Sequence, residues 1–161
     1  MHRVYLETSF VSYLTAPRFS RDPIAAAHQQ ITLEWWSRRR ADFELVVSQV
    51  VLDEAGLGDP TASESRLEAI AALPRLLVTD SAVALARTIL TRGLLPSRAF
   101  PDALHIAIAT VHQVDYLLTW NCKHIANVEI LPRIAVVCEE LGHPLPIICT
   151  PEELLGVSND H

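Results

Sequence analysis

Four polar side chains in this sequence stand where short apolar runs stop. Glu7 closes "VYLE", Glu54 lies in "VVSQVVLDEA", Asp102 opens "DALHIAIATVHQ", and Asn121 follows "VDYLLTW". Singly, each has an ordinary explanation. Glu7, with Thr8 and Ser9, starts a helix; Glu54 is a solvated helix acid; Asp102 caps a helix after Pro101; Asn121 forms a turn. Together they form an oxygen-rich set. Carboxylates gathered in one place repel one another, and a hard divalent cation is the simplest means of offsetting that repulsion. Mg2+ or Mn2+ suits such ligands. A cation of this kind polarises a phosphoryl oxygen and makes a bound water nucleophilic, which is the chemistry of metal-dependent phosphodiester hydrolysis.

Elements of a particular kind must bring these residues together. Residues 3–6 read as a strand, followed by a hydroxyl-capped helix in "TSFVSYLT". Asp22 and Pro23 start a longer helix that ends on the basic run Arg38 to Arg40, with Ile24, Ala27, Ile31 and Trp35 repeating at helical spacing. "FELVVS" is a second strand, and Ser48 caps the helix that carries Glu54. Asp59 and Pro60 restart a helix to about Leu73; residues 75–80 predict a third strand, with Asp80 or Ser81 capping the helix beyond. Residues 114–120 predict a fourth strand, "PRIAVVCEELG" a late helix, "PIIC" a short fifth strand and "TPEELLG" a terminal helical turn. Strands separated by helices, without hairpin signals, predict a mostly parallel sheet covered on both faces. Ligands of such sheets bind beyond the carboxyl ends of the strands, and the four chosen residues lie there or begin the adjoining helices.

The helix from Asp102 is apolar over most of its circumference, so its polar residues are selective. Asp102, His105, Ala109 and His112 fall within an arc of about 80° at 100° per residue. That stripe faces either solvent or a cleft. His105 reads as a partly buried structural histidine, with holding a carboxylate or donating to a phosphate as the alternative. Cys122 and His124 in "CKH" lack the spacing of a closed zinc site. Trp120, beside Asn121, suits a base-stacking neighbour of the site; Trp35 suits a core, and Trp36, 100° round the helix, suits a groove or partner surface.

The 161 residues suit one domain over 1–156 with a loose tail at 157–161. No apolar stretch reaches the length of a membrane span, and the N-terminus lacks a signal peptide's apolar segment, so a cytoplasmic protein is expected. Three widely spaced cysteines predict reduced structural thiols. A formal net charge of -6 argues against gripping nucleic acid over the whole surface, and leaves local basic positions such as Arg18, Arg21, Arg98 and Lys123.

In "VYLETSFVSYL", "VVSQVVLDEA" and "PDALHIAIATVHQVDYLLTWN" the sequence resembles the PIN-domain ribonucleases, in particular toxins of the VapC type from bacterial toxin-antitoxin pairs. The similarity spans about residues 3–150 and rests on the order of the elements. It implies an α/β three-layer fold with a central, mostly parallel sheet of about four to five strands flanked by helices. It further implies a Mg2+- or Mn2+-dependent endoribonuclease whose ligands and catalytic residues are Glu7, Glu54, Asp102 and Asn121. Thr8, Ser9 and His105 would support them, and Arg98, Trp120 and Lys123 would touch RNA. An RNA substrate, an antitoxin partner and a homodimer are implied as well. Glu7 stands where the family usually has Asp, and the neutral Asn121 where it often has Asp; Asn still offers a carbonyl oxygen. These departures motivate a second expectation, a non-catalytic PIN-like module that binds RNA or protein. If Glu7 is a ligand among repelling acids, Glu7→Gln should leave stability unchanged or raise it.

Overall fold

The structure, a computed structural model, describes residues 1–17 and 19–156; Arg18 and the expected tail at 157–161 lie outside the described residues. Five strands form one parallel sheet: β1 Arg3–Leu6, β2 Glu44–Ser48, β3 Arg75–Leu76, β4 Tyr116–Leu118 and β5 Ile147–Cys149, in the order β3-β2-β1-β4-β5. The chain therefore leaves β1 on one side to make β2 and returns on the other to make β4. That reversal is the topological switch point, where connections diverge and a crevice opens.

The helices are α1 Thr8–Thr15, α2 Pro23–Arg39, α3 Gln49–Ala55, α4 Pro60–Ile70, α5 Asp80–Thr91, α6 Phe100–Val111 and α7 Leu131–Glu140. Strand alternation shows how they cover both faces. Tyr5 pairs with Leu117 in the ladder and reaches His105 of α6. Val4 pairs with Tyr116, which packs on Phe43, itself stacked on Trp35 of α2. Hence α2 and α6 lie on opposite faces, making three layers. One core of buried apolar residues runs through both interfaces.

Several sequence expectations are corrected. The third strand ends at Leu76 because β2 ends at Ser48, its last partner, leaving Leu77 73% exposed. Helix α5 is capped by Thr79, which accepts from the Ala82 N–H, rather than by Asp80 or Ser81. Helix α4 stops at Ile70, three residues short of Leu73. Helix α2 buries Gln29, Thr32 and Trp35; of the apolar repeat Ile24, Ala27, Ile31 and Trp35 only Trp35 is buried, Ile24 being 68% exposed. Its inner face is set by two indole N–H bonds, Trp120 Nε1 to Thr32 at 2.8 Å and Trp35 Nε1 to the Leu154 carbonyl at 3.2 Å. Trp35 is buried, whereas Trp36 is half-buried beneath the Arg40 guanidinium.

The three cysteines are free. Burial pushes the Cys138 thiol up to about 11 and the Cys149 thiol up to about 12, so both stay protonated as the reduced-thiol reading requires.

Candidate metal centre

Glu7 is the N-cap of α1, and it caps with a carboxylate where the sequence suggested a hydroxyl. Its Oε2 accepts from the Ser9 N–H at 2.9 Å. Its Oε1 accepts from the Ser9 and Thr119 hydroxyls, both at 2.5 Å. Those hydroxyls are themselves fixed, Ser9 accepting from the Trp120 N–H and Thr119 from the Asn121 N–H. A carboxylate has about four lone-pair sites. Three on Glu7 are taken, so it retains one, on Oε2. The residue is only 5% exposed.

Glu54 comes from α3, whose start is fixed by Ser48 accepting from Val51 N–H. Its Oε1 accepts from Thr8 and shares a short contact with His105 Nε2, each at 2.6 Å. No hydrogen bond to Oε2 is present among the described residues. Ligand atoms of Glu7, Glu54 and His105 lie within 4.8 Å of one another. Two oxygens each about 2.0–2.6 Å from one cation lie within about 5 Å of each other, so Glu7 and Glu54 can share a divalent ion. Both ring nitrogens of His105 are already bonded, to Tyr5 and Glu54.

Asp102 lies outside that triplet and is not the helix N-cap. The turn Ser97–Ala99 runs directly into α6, whose N-cap is Ala99, leaving Asp102 in the first turn. There Oδ2 meets His124 Nδ1 at 2.9 Å, and the carboxylate's charge acts on His105. Asn121 Oδ1 accepts from the His124 N–H at 3.0 Å, so Asn121 holds the turn that presents His124 to Asp102. Along the helix stripe His105 and Ala109 are fully buried, while Asp102 and His112 at its ends are partly exposed.

Trp120 stacks on His28 at 3.9 Å between ring centroids and meets Tyr13 edge-on. One of its faces is thereby closed to a base. Arg98 and Lys123 are exposed in the segments that flank Asp102 and His124. The Arg38 to Arg40 run is engaged locally, with Glu34, with Asp42 and Leu154, and over Trp36. Tyr5, Ser48, Thr119 and His124 belong to the site's supports and went unrecognised as such in the sequence. Thr119 had a usable signal, a hydroxyl at the carboxyl end of the strand beside Asn121.

The His105–Glu54 pair is electrostatically coupled. Burial pulls the imidazole's pKa down, but the Glu54 hydrogen bond and the charges of Glu7, Glu54 and Asp102 raise it net above 6.5. Burial pushes Glu54 up, but the hydrogen bond and charge of His105, with the Thr8 bond, hold it net below 4.5. The raised histidine contributes stability that is full below its unfolded value and is lost as pH rises through its folded value. The lowered acid contributes stability that is full above its unfolded value and is lost as pH falls through its folded value. In chelator, the stability difference between the native chain and His105→Gln should therefore be greatest between about pH 4.5 and 6.5. Urea midpoints across pH check this; a difference that keeps growing above that window would contradict it.

No family model matches the sequence, and no curated protein matches it. The fold is similar to that of a chain in the crystal structure of VapBC2 from Rickettsia felis bound to a DNA fragment from their promoter. The match has a TM-score of 0.52 at 16% identity, and covers 92% of this chain and 98% of that one. The chain has the PIN-like fold. The α/β three-layer architecture expected from the sequence is thus present. No helix among the described residues is long and apolar enough to cross a membrane.

Proposed function

We propose that the protein is a Mg2+- or Mn2+-dependent endoribonuclease, the toxin of a toxin-antitoxin pair acting in the cytoplasm. The observation that carries this reading is the convergence of the Glu7 and Glu54 carboxylates, with His105 bonded to Glu54, within 4.8 Å at the switch point of a PIN-like fold. Glu7 would hold the ion through the one lone pair left on Oε2 beside its Ser9 N–H bond, and Glu54 through its Oε2, with Asp102 completing the acidic wall. The bound ion would polarise a phosphoryl oxygen and activate water for in-line attack. Ser9 and Thr119 orient Glu7, Thr8 orients Glu54, and Asn121 serves through the turn carrying His124. Arg98 and Lys123 supply cationic contacts for RNA phosphates beside an otherwise acidic crevice.

The fold's likeness to a VapBC2 chain supports an antitoxin as partner. Its seat would be the apolar groove of about 160 Å³ lined by Tyr13, Ala16, Pro17, Phe19, Gln29 and Leu33. Phe19 is 64% exposed there, as an aromatic anchor for a partner would be. A homodimer is part of the same proposal, as is a single domain over residues 1–156. The alternative, a non-catalytic module, is favoured by one observation: Glu7 and Asn121 already spend lone pairs on capping.

Purified protein incubated with structured RNA separates the two. Cleavage that requires Mn2+ or Mg2+, stops in chelator and is lost in Asp102→Asn supports the nuclease. RNA bound without cleavage under every metal condition would leave the binding module.

A further inference from the structure

Glu54 is the end of a hydrogen-bonded chain that rises from the core. It begins at the cap of α3, where the Val51 N–H donates to Ser48 Oγ. A backbone N–H can only donate, so Ser48 is an acceptor there and its own proton is available to Tyr5 Oη, 2.7 Å away. His105 Nε2–H donates to the Glu54 carboxylate Oε1 at 2.6 Å, and in the neutral imidazole Nδ1 is then the acceptor for the Tyr5 hydroxyl at 2.7 Å. Tyr5 and His105 are both 0% exposed, so bulk water is in no position to stand in for either partner. Burial also holds the Tyr5 phenol far above its ordinary value, which keeps it a donor.

A terminal carboxylate torsion is soft and nearly two-fold, so an unsupported Glu presents either oxygen. Here His105 and Thr8 occupy both lone pairs of Oε1, which turns Oε2 to the crevice. Resting on the metal-site reading above, we infer that His105 and Tyr5 are positioning residues. Tyr5 fixes the tautomer and plane of His105, and His105 fixes which oxygen of Glu54 faces the cation. The relay joins β1, β2 and α6, elements distant in sequence, to one ligand on α3. It thereby makes the metal affinity depend on a phenol that never touches the ion.

The test is Mn2+ binding by the full chain, followed through the free-ion electron paramagnetic resonance signal and by calorimetry. Tyr5→Phe should weaken Mn2+ binding about tenfold, the lower range for loss of a partner behind a metal ligand. His105→Ala should weaken it by up to about a hundredfold. His105→Gln, which keeps an N–H for Glu54, should recover part of that loss. A purely structural role would lower the melting temperature and leave the affinity of the folded protein alone. If Tyr5→Phe does not fold, the His105→Gln and His105→Ala comparison decides. Equal Mn2+ affinity in the native chain and these variants would overturn the inference while the metal-site reading stood. Direct nitrogen coupling to bound Mn2+ would also overturn it, by making His105 a ligand. Failure of the native chain to bind Mn2+ saturably would overturn both.

Discussion

Glu7→Gln is expected to abolish RNA cleavage and to destabilise the ion-free protein by about 2–3 kcal/mol, the value of hydrogen bonds made to a charged acceptor. The charge-repulsion argument from sequence gave the opposite sign for stability. The structure supplies the reason for the reversal. Every hydrogen-bond partner of the Glu7 carboxylate donates to it, Ser9 N–H, Ser9 hydroxyl and Thr119 hydroxyl, and these three bonds outweigh the repulsion from Glu54 within 4.8 Å. An amide placed there has one oxygen for three donors. If the oxygen serves Ser9 N–H, the NH2 must face two hydroxyls that already accept from Trp120 and Asn121. If it serves the hydroxyls, NH2 opposes N–H. For a chain of this size the cost corresponds to a fall of roughly 5–10 °C in melting temperature. An unchanged or higher melting temperature would show that repulsion dominates.

Glu54→Gln should separate the two roles that Glu7 combines. The amide oxygen can still accept from Thr8 and from His105 Nε2–H, so ion-free stability should change less than in Glu7→Gln. The lost charge falls on the side facing the ion. Cleavage should drop by about three orders of magnitude, equivalent to several kcal/mol of transition-state stabilisation. In the native chain, Mn2+ at a hundred times its dissociation constant should add about 2.7 kcal/mol of stability by linkage. That increment should vanish in Glu54→Gln. Melting curves with and without Mn2+, beside a cleavage assay, measure both. A variant that keeps both the Mn2+ increment and cleavage would remove Glu54 from the site.

The parallel sheet, though not its order β3-β2-β1-β4-β5, was legible because the strands alternate with helices and none ends in a hairpin turn. Glu7 and Glu54 were legible for the same reason, since an acid just after a strand or early in the next helix must lie at one end of the sheet. What surrounds them was not. Tyr5 looks like any apolar strand residue, and its partners Ser48 and His105 are 43 and 100 residues away. Pattern along the chain carries no information about contacts at such separations. Asp102 was displaced from the cap by the turn at Ser97–Ala99, whose three residues carry no periodic signal. His124 was weighed only as a zinc ligand with Cys122. Its partner in the fold is Asp102, and it is presented by Asn121, whose capping bond to the His124 N–H depends on the local turn geometry. On the inner face of α2, Trp35 is buried as its helical spacing implies, whereas Thr32 is placed there by its bond to Trp120, far along the chain.

Anomalous diffraction from crystals grown with Mn2+ tests the central claim most directly. The account predicts a peak in the crevice beside the carboxyl end of β1, with Glu7 and Glu54 oxygens about 2.0–2.6 Å away and Asp102 in direct or one-water reach. Crystals with Mn2+ bound elsewhere and none between Glu7 and Glu54, or with no ordered Mn2+ at all, would contradict it.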